Sequence, residues 1–181
     1  MTALIPTRID TSRLVLRTWR PEDRAAMVEI NADPEVVRFV AREPVTRERS
    51  DALLDRIERS WADRGYGLYA LESLGSGDLL GFCGLSHHRA LPDEVEVGWR
   101  LARSAWGQGF ATEAALVCRD LAFDVLGRER LISITVEENQ RSWRVMEKLG
   151  MRRWRTMPFE EWDLSVWAMT ADERQVGGLR G

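Results

Sequence analysis

"VEVGWRLARSAWGQGFATEA", Val95 to Ala114, is the stretch on which the fold of this chain turns. Its first seven residues alternate, placing Val95, Val97, Trp99 and Leu101 on one face of a strand and Glu96 and Gly98 on the other. Beyond it, Ala114, Cys118, Leu121, Ala122 and Val125 recur at helical spacing until Gly127, which can close a helix with a left-handed residue. Between strand and helix lies a turn almost bare of side chains. A helix start leaves its first N–H groups unpaired and partly positive, so an anion docks there if side chains leave room, as Gly107, Gly109 and Ala111 do. The turn lacks the GxxxxGK[ST] of a nucleotide-binding P-loop and departs from the GxGxxG dinucleotide pattern. Glycine at a tight connection is also a plain backbone requirement, so the flanking sequence has to decide between these readings.

Upstream, "RLVLR" from Arg13 alternates as a half-buried strand, and Pro21–Asn31 reads as a short helix with Pro at its start. A longer helix is signalled over Thr46–Arg64, with Thr46 as N-cap and Gly65 just past its end. Leu68–Leu74 and Leu79–Ser86 form a hairpin about "GSGD", and "HHRALPDE" reads as a loop leading to Val95. Downstream, "LISITV", Leu131–Val136, is a β-branched run of the kind buried on both faces. Asn139 opens a short helix that Gly150 ends, and two strands follow near Met151–Thr156 and Trp162–Met169. The pattern predicts a single α+β domain over residues 1–181, with a mixed, mostly antiparallel sheet of about seven strands and helices on both faces. The tail from Ala171 is expected to be flexible.

With 181 residues, the chain can bury a core without disulfides or metal. Cys83 and Cys118 are its two cysteines and read as small buried hydrophobes. Nothing approaches a membrane-length apolar run, and "MTALIPTRID" does not have the form of a secretory signal, so a cytoplasmic address is expected. A net charge of −3 gives no broad basic field for nucleic acid and favours a cationic amine as partner. No spaced set of ligands suggests a metal.

The order of "VEVGWRLARSAWGQGFATEA", a helix and "ITVEENQRSWRVMEKLGM" resembles the GNAT superfamily of acyl-CoA-dependent N-acetyltransferases, in its RimJ/RimL-type branch. "TSRLVLRTWRPEDRAAMVEINADPEVVRFV" is similar to that branch's beginning. The resemblance implies acetyl-CoA as cosubstrate. It implies further that backbone groups of Trp99 and Leu101 pair with the pantetheine arm, that the amides of Gly107, Gln108, Gly109, Ala111 and Thr112 meet the pyrophosphate, and that Asn139 contacts the arm near the thioester. Asn139 is equally suited to capping the helix it precedes. Trp106 stands where the family's general motif has Gln or Arg.

An amine must lose a proton before it attacks a thioester, and the departing thiolate is helped by an acid. Glu96 is the candidate base, with Glu94 in reserve; both also suit a surface strand. Many GNAT enzymes carry an acidic Tyr where this chain has Met146, and Ser142, one turn into the helix, is the nearest hydroxyl that could replace it. His87 and His88 are candidates for shaping the amine pocket; on a strand they point oppositely, so at most one faces a given site. The branch implies a protein N-terminal α-amine as acceptor, with small amines as the alternative and a non-catalytic acyl-CoA-binding module as a reading of another class. Apolar residues at a strand edge would allow a homodimer, although no pattern requires one.

Overall fold

The computed structural model describes residues 4–41, 43 and 45–178. Strands β1 (Arg8–Asp10), β2 (Leu14–Arg17), β3 (Leu68–Ser73), β4 (Leu79–His88), β5 (Leu91–Leu101), β6 (Arg130–Val136), β7 (Arg152–Phe159) and β8 (Trp162–Thr170) form one sheet in the order β1-β2-β3-β4-β5-β6-β8-β7. All neighbours are antiparallel except β5 and β6, so the architecture is the expected mixed α+β sheet. The strand beyond the expected seven is β1, three residues long and too short to show a period. The helices are α1 (Asp23–Ala32), α2 (Pro34–Val37), α3 (Arg47–Arg64), α4 (Phe110–Asp120), α5 (Gln140–Lys148) and α6 (Ala171–Gly178).

Local signals explain most boundaries. Thr46 accepts a hydrogen bond from the Arg49 N–H at the start of α3, and Gly65, at φ 74°, ends it. One expectation is corrected. "HHRALPDE" is not a loop, because β4 runs to His88 and β5 begins at Leu91, leaving Arg89 and Ala90 as the turn of a long hairpin. The chain from Ala171 forms a helix to Gly178, and the end of the expected tail, 179–181, lies outside the described residues; the Thr170 hydroxyl and N–H are bonded to the Glu173 carboxylate, which caps that helix.

Helices cover both faces. Leu16, Tyr69, Leu71, Cys83, Leu85 and Val97 pack against Ala114, Ala115 and Cys118 of α4. On the other face Phe82 packs with Met27 and Ile30 of α1 and Leu54 and Ile57 of α3. Period two on β4 therefore sends Phe82 to one core and Cys83 to the other. The two cysteines are buried thiols with sulfurs 4.0 Å apart. Among the described residues no helix is long and apolar enough to cross a membrane.

Candidate active site

β5 and β6 pair only at Val95↔Leu131 and Glu96↔Ile132. Past that point β5 continues against β4, while β6 keeps pairing with β8 alone, so the sheet opens into a fork. Antiparallel ladders bond alternate residues to a given neighbour, and the Ala102 N–H donates to the Leu80 carbonyl of β4's edge at 2.8 Å. By that alternation Glu96, Gly98 and Arg100 bond β4, whereas Trp99 and Leu101 turn their backbone groups into the fork.

At the fork's wide end lies a cleft of about 590 Å³, lined among others by Trp99, Leu101, Gly107, Gly109, Ala111, Thr112, Asn139 and Ser142. Eight of the residues singled out from sequence thus converge on one cavity. Gly109 is the residue before α4, at φ 83° with no side-chain cap, and Gly107 is at φ 73°. A Cβ on Gly107 would meet nothing within 4 Å, so its conformation, not crowding, demands glycine. Gln108 contributes differently from its neighbours, because its side chain donates to the Ser104 carbonyl and its own carbonyl accepts from Arg13 at 2.8 Å.

Leu101 has one fork-facing group less than expected: its carbonyl accepts from the Trp106 indole N–H at 2.9 Å. Trp106 therefore braces the exit from β5, and the Arg141 guanidinium lies 4.3 Å from the centre of its ring. Arg144 and Lys148 join Arg141 on the cleft wall formed by α5.

Asn139 caps α5, accepting from the Ser142 N–H, and its amide donates both to Thr135 Oγ1 at 2.9 Å and to Ser142 Oγ at 3.0 Å. Ser142 Oγ is thereby held as an acceptor, with its own proton left to give. Met146, one turn on, is only 1% exposed and belongs to the core, so that helical position offers the cleft no hydroxyl.

Glu96 stands at the closed end of the fork, outside the residues that line the cleft proper. Ser86 Oγ donates to its Oε2 at 3.4 Å and the Ile134 N–H also reaches the carboxylate. A Cβ on Gly98 would come within 4.0 Å of Glu96 Oε1, so the carboxylate leans along the strand toward the cleft. Burial between the diverging strands pushes it up to about 7, against the smaller opposing pull of those two hydrogen bonds. Glu94, the reserve, is bonded instead to Arg130 at 2.8 Å.

The two histidines part, as alternation requires. His87 bonds the Tyr66 hydroxyl at 2.8 Å through Nε2 and the Pro92 carbonyl at 2.8 Å through Nδ1, whereas His88 packs edge-on to Phe159, ring centres 5.1 Å apart. Desolvation lowers both below the usual imidazole value, and neither lines the cleft.

Sequence reading missed Arg100, which lines the cleft, and Glu35, Val36, Phe39 and Val40, which close it from α2 and beyond. Arg100 continues the period of Glu96 and Gly98, a signal present in the opening motif; α2, at four residues, has no period to read.

Fold and cleft together have the form of an acyltransferase. Residues 13–152 match the family model described as "Acetyltransferase (GNAT) domain", and the chain belongs to that family of N-acetyltransferases. The uncharacterised N-acetyltransferase YnaD of Bacillus subtilis is 27% identical over 145 residues, 80% of this chain and 82% of its own. A solved acetyltransferase from Agrobacterium tumefaciens is 28% identical with a TM-score of 0.81, covering 91% of this chain and 94% of that one. A ribosomal-protein-S5-alanine acetyltransferase from Vibrio fischeri shares the fold at a TM-score of 0.74 and 14% identity, over 92% of this chain and 98% of that one.

Proposed function

We propose that this chain moves an acetyl group from acetyl-CoA directly to a primary amine, with both substrates bound together and no covalent enzyme intermediate. The observation that carries the reading is Glu96, a carboxylate at the root of the fork whose affinity for a proton is raised to about 7, where a base works at neutral pH.

The residues present fit acetyl-CoA. Trp99 N–H and C=O and Leu101 N–H supply a strand edge for the pantetheine amides, and the left-handed turn at Gly107 and Gly109 exposes amides to the pyrophosphate at the start of α4. Acetyl-CoA brings the activated acetyl thioester. Glu96 takes the amine's proton, directly or through one water. Ser142, oriented by Asn139, gives its hydroxyl proton toward the departing sulfur, doing the work that Met146 is unable to do.

The RimJ/RimL-type resemblance makes a protein N-terminal α-amine the first acceptor to test and a small amine the second. The buried Met146 favours one other reading, acyl-CoA binding without turnover. Free-thiol release from acetyl-CoA over peptides, N-terminally blocked peptides, polyamines, aminoglycosides and amino acids tests all three. Release that needs an unblocked peptide supports the first acceptor and release with small amines alone supports the second; saturable binding with no release over the whole panel overturns transfer.

A further inference from the structure

Arg100 is a cation of the cleft wall that no acid meets among the described residues. Its Nη1 donates to Asn31 Oδ1 at 2.6 Å, and the guanidinium carbon lies 5.3 Å from the centre of the Phe82 ring. Asn31 is itself fully buried and held through its own amide, which donates to Ser50 Oγ at 2.9 Å. That arrangement fixes the guanidinium and uses one of its five N–H groups. Other arginines of this chain are met by acids: Arg17 by Asp23 and Glu72, Arg13 by Glu113, Arg130 by Glu94. Among the described residues no carboxylate lies within ion-pair distance of Arg100. Burial accordingly lowers it to about 10, still fully charged at neutral pH. A desolvated cation without a counter-charge is costly, and the missing charge here has an open approach, because Arg100 lines the cleft.

The face on which it stands says which substrate supplies that charge. Arg100 shares its strand face with Glu96 and Gly98 and is set among Phe82 of β4 and Asn31 of α1. The glycine turn belongs to α4, on the opposite face, and the other cations of the cleft, Arg141, Arg144 and Lys148, belong to α5. Phosphates docked at the glycine turn are thus served without Arg100. Glu35, the acid among the described residues lining the cleft, lies 3.9 Å from Arg38.

We propose that Arg100 binds a carboxylate of the acceptor, so that the enzyme selects amines carrying a carboxylate a few bonds from the nitrogen. This rests on acetyl transfer as proposed above. Four residue steps along the strand set the Cα atoms of Glu96 and Arg100 about 13 Å apart, and Glu96 leans toward Gly98. With a hydrogen bond of about 3 Å at each end, an amine and a carboxylate a few ångströms apart bridge the two groups. Amino acids meet that description, as do peptides whose first residue is acidic.

The test uses pairs differing in one charge: glycine and glycinamide, β-alanine and its amide, and amidated tripeptides beginning with Asp or Asn. Thiol release should favour the carboxylate member, and Arg100→Gln should reduce that preference, read as the ratio of kcat/KM within a pair, about 30-fold. Arg100→Lys should retain part of it. Preference confined to free amino acids identifies a small-molecule acceptor, and preference among the tripeptides identifies a peptide. An unchanged ratio in Arg100→Gln, or a variant that raises only the KM for acetyl-CoA, overturns the proposal. If no amine releases thiol, the same pairs are titrated calorimetrically into the protein saturated with CoA. Tighter carboxylate binding that is lost in Arg100→Gln sustains the assignment without turnover, and equal binding of both members refutes it.

Discussion

Arg13 and Glu113 lie a hundred residues apart in sequence and grip each other at the start of α4, with Arg13 Nε 2.7 Å and Nη2 2.6 Å from Glu113 Oε2. The same guanidinium takes the Gln108 carbonyl and stacks 4.7 Å from the Phe110 ring centre, while Glu113 also accepts from the Thr11 hydroxyl and the Arg13 N–H. The segment before β2 is thereby tied to the glycine turn, and the Gln108 carbonyl is turned to Arg13. Glu113→Gln or Arg13→Met should raise the KM for acetyl-CoA about tenfold, equivalent to about 1.4 kcal/mol, with kcat little changed. Steady-state kinetics decide it; an unmoved KM would leave the pair a purely structural tie.

Glu96, the base of the proposed transfer, should control the acid side of the pH profile. As a base it works ionised, so kcat/KM should rise with pH, tenfold per unit, and level off above about 7. Glu96→Gln should lower kcat about 10²- to 10³-fold and abolish that limb. A variant with the limb intact would move the base elsewhere.

The same carboxylate carries an opposite sign for stability. Its folded value lies above the ordinary 4.5, so the folded state holds the proton more tightly than the unfolded chain does. Its contribution is present below pH 4.5 and is lost as pH rises through about 7. Glu96→Gln should therefore melt several degrees higher than the parent at pH 8 and show no such gain near pH 4. Scanning calorimetry at the two pH values is the check.

Ser142 and Asn139 should fail together. Ser142→Ala is expected to lower kcat about tenfold while binding of acetyl-CoA holds, and Asn139→Ala to lower it similarly by releasing Ser142 Oγ. Asn139→Ala should also cost about 1 kcal/mol of stability as a lost N-cap, which Ser142→Ala does not. Full activity in Ser142→Ala would leave the thiolate unassisted.

Arg17 and Asp23, each nearly inaccessible, form paired bonds at 2.7 and 2.8 Å. Burial alone would raise Asp23, but hydrogen bonds from Arg17 and the Arg20 N–H outweigh it and hold the carboxyl below its ordinary value. Its contribution is thus present above about pH 4 and is lost as pH falls through the folded value. Asp23→Ala should cost about 3–5 kcal/mol in urea unfolding, since Arg17 would be left buried with Glu72 alone. A loss under 1 kcal/mol would mean that water reaches the guanidinium.

Much of this molecule can be read along the chain, because its long elements carry clean periods and caps. The alternation of Val95–Leu101, Thr46 before α3 and Asn139 before α5 state local rules that tertiary packing did not override. What escapes is short or distant. β1 and α2 have too few residues for a period, and the Arg13–Glu113 tie joins positions no local pattern connects. Trp106 reads as a lost phosphate contact, whereas its indole braces the Leu101 carbonyl, a role visible only once β5 has an end to fold back on. Arg100 escapes for another reason: an arginine on a half-buried strand ordinarily lies in solvent, and only the folded cleft shows that no acid among the described residues meets it.

The two arms of the sheet share a seam of two parallel rungs, at Val95 and Glu96. Five strands lie on one side of it and three on the other, spanned by the core beneath α4. A molecule laid into the fork as proposed would bond to the arm that Trp99 turns outward and so act as a splint, adding rungs that the chain itself does not supply. Its binding energy then appears as mechanical stiffness, with slower amide exchange along Val97–Leu101 and a melting temperature that climbs with its concentration.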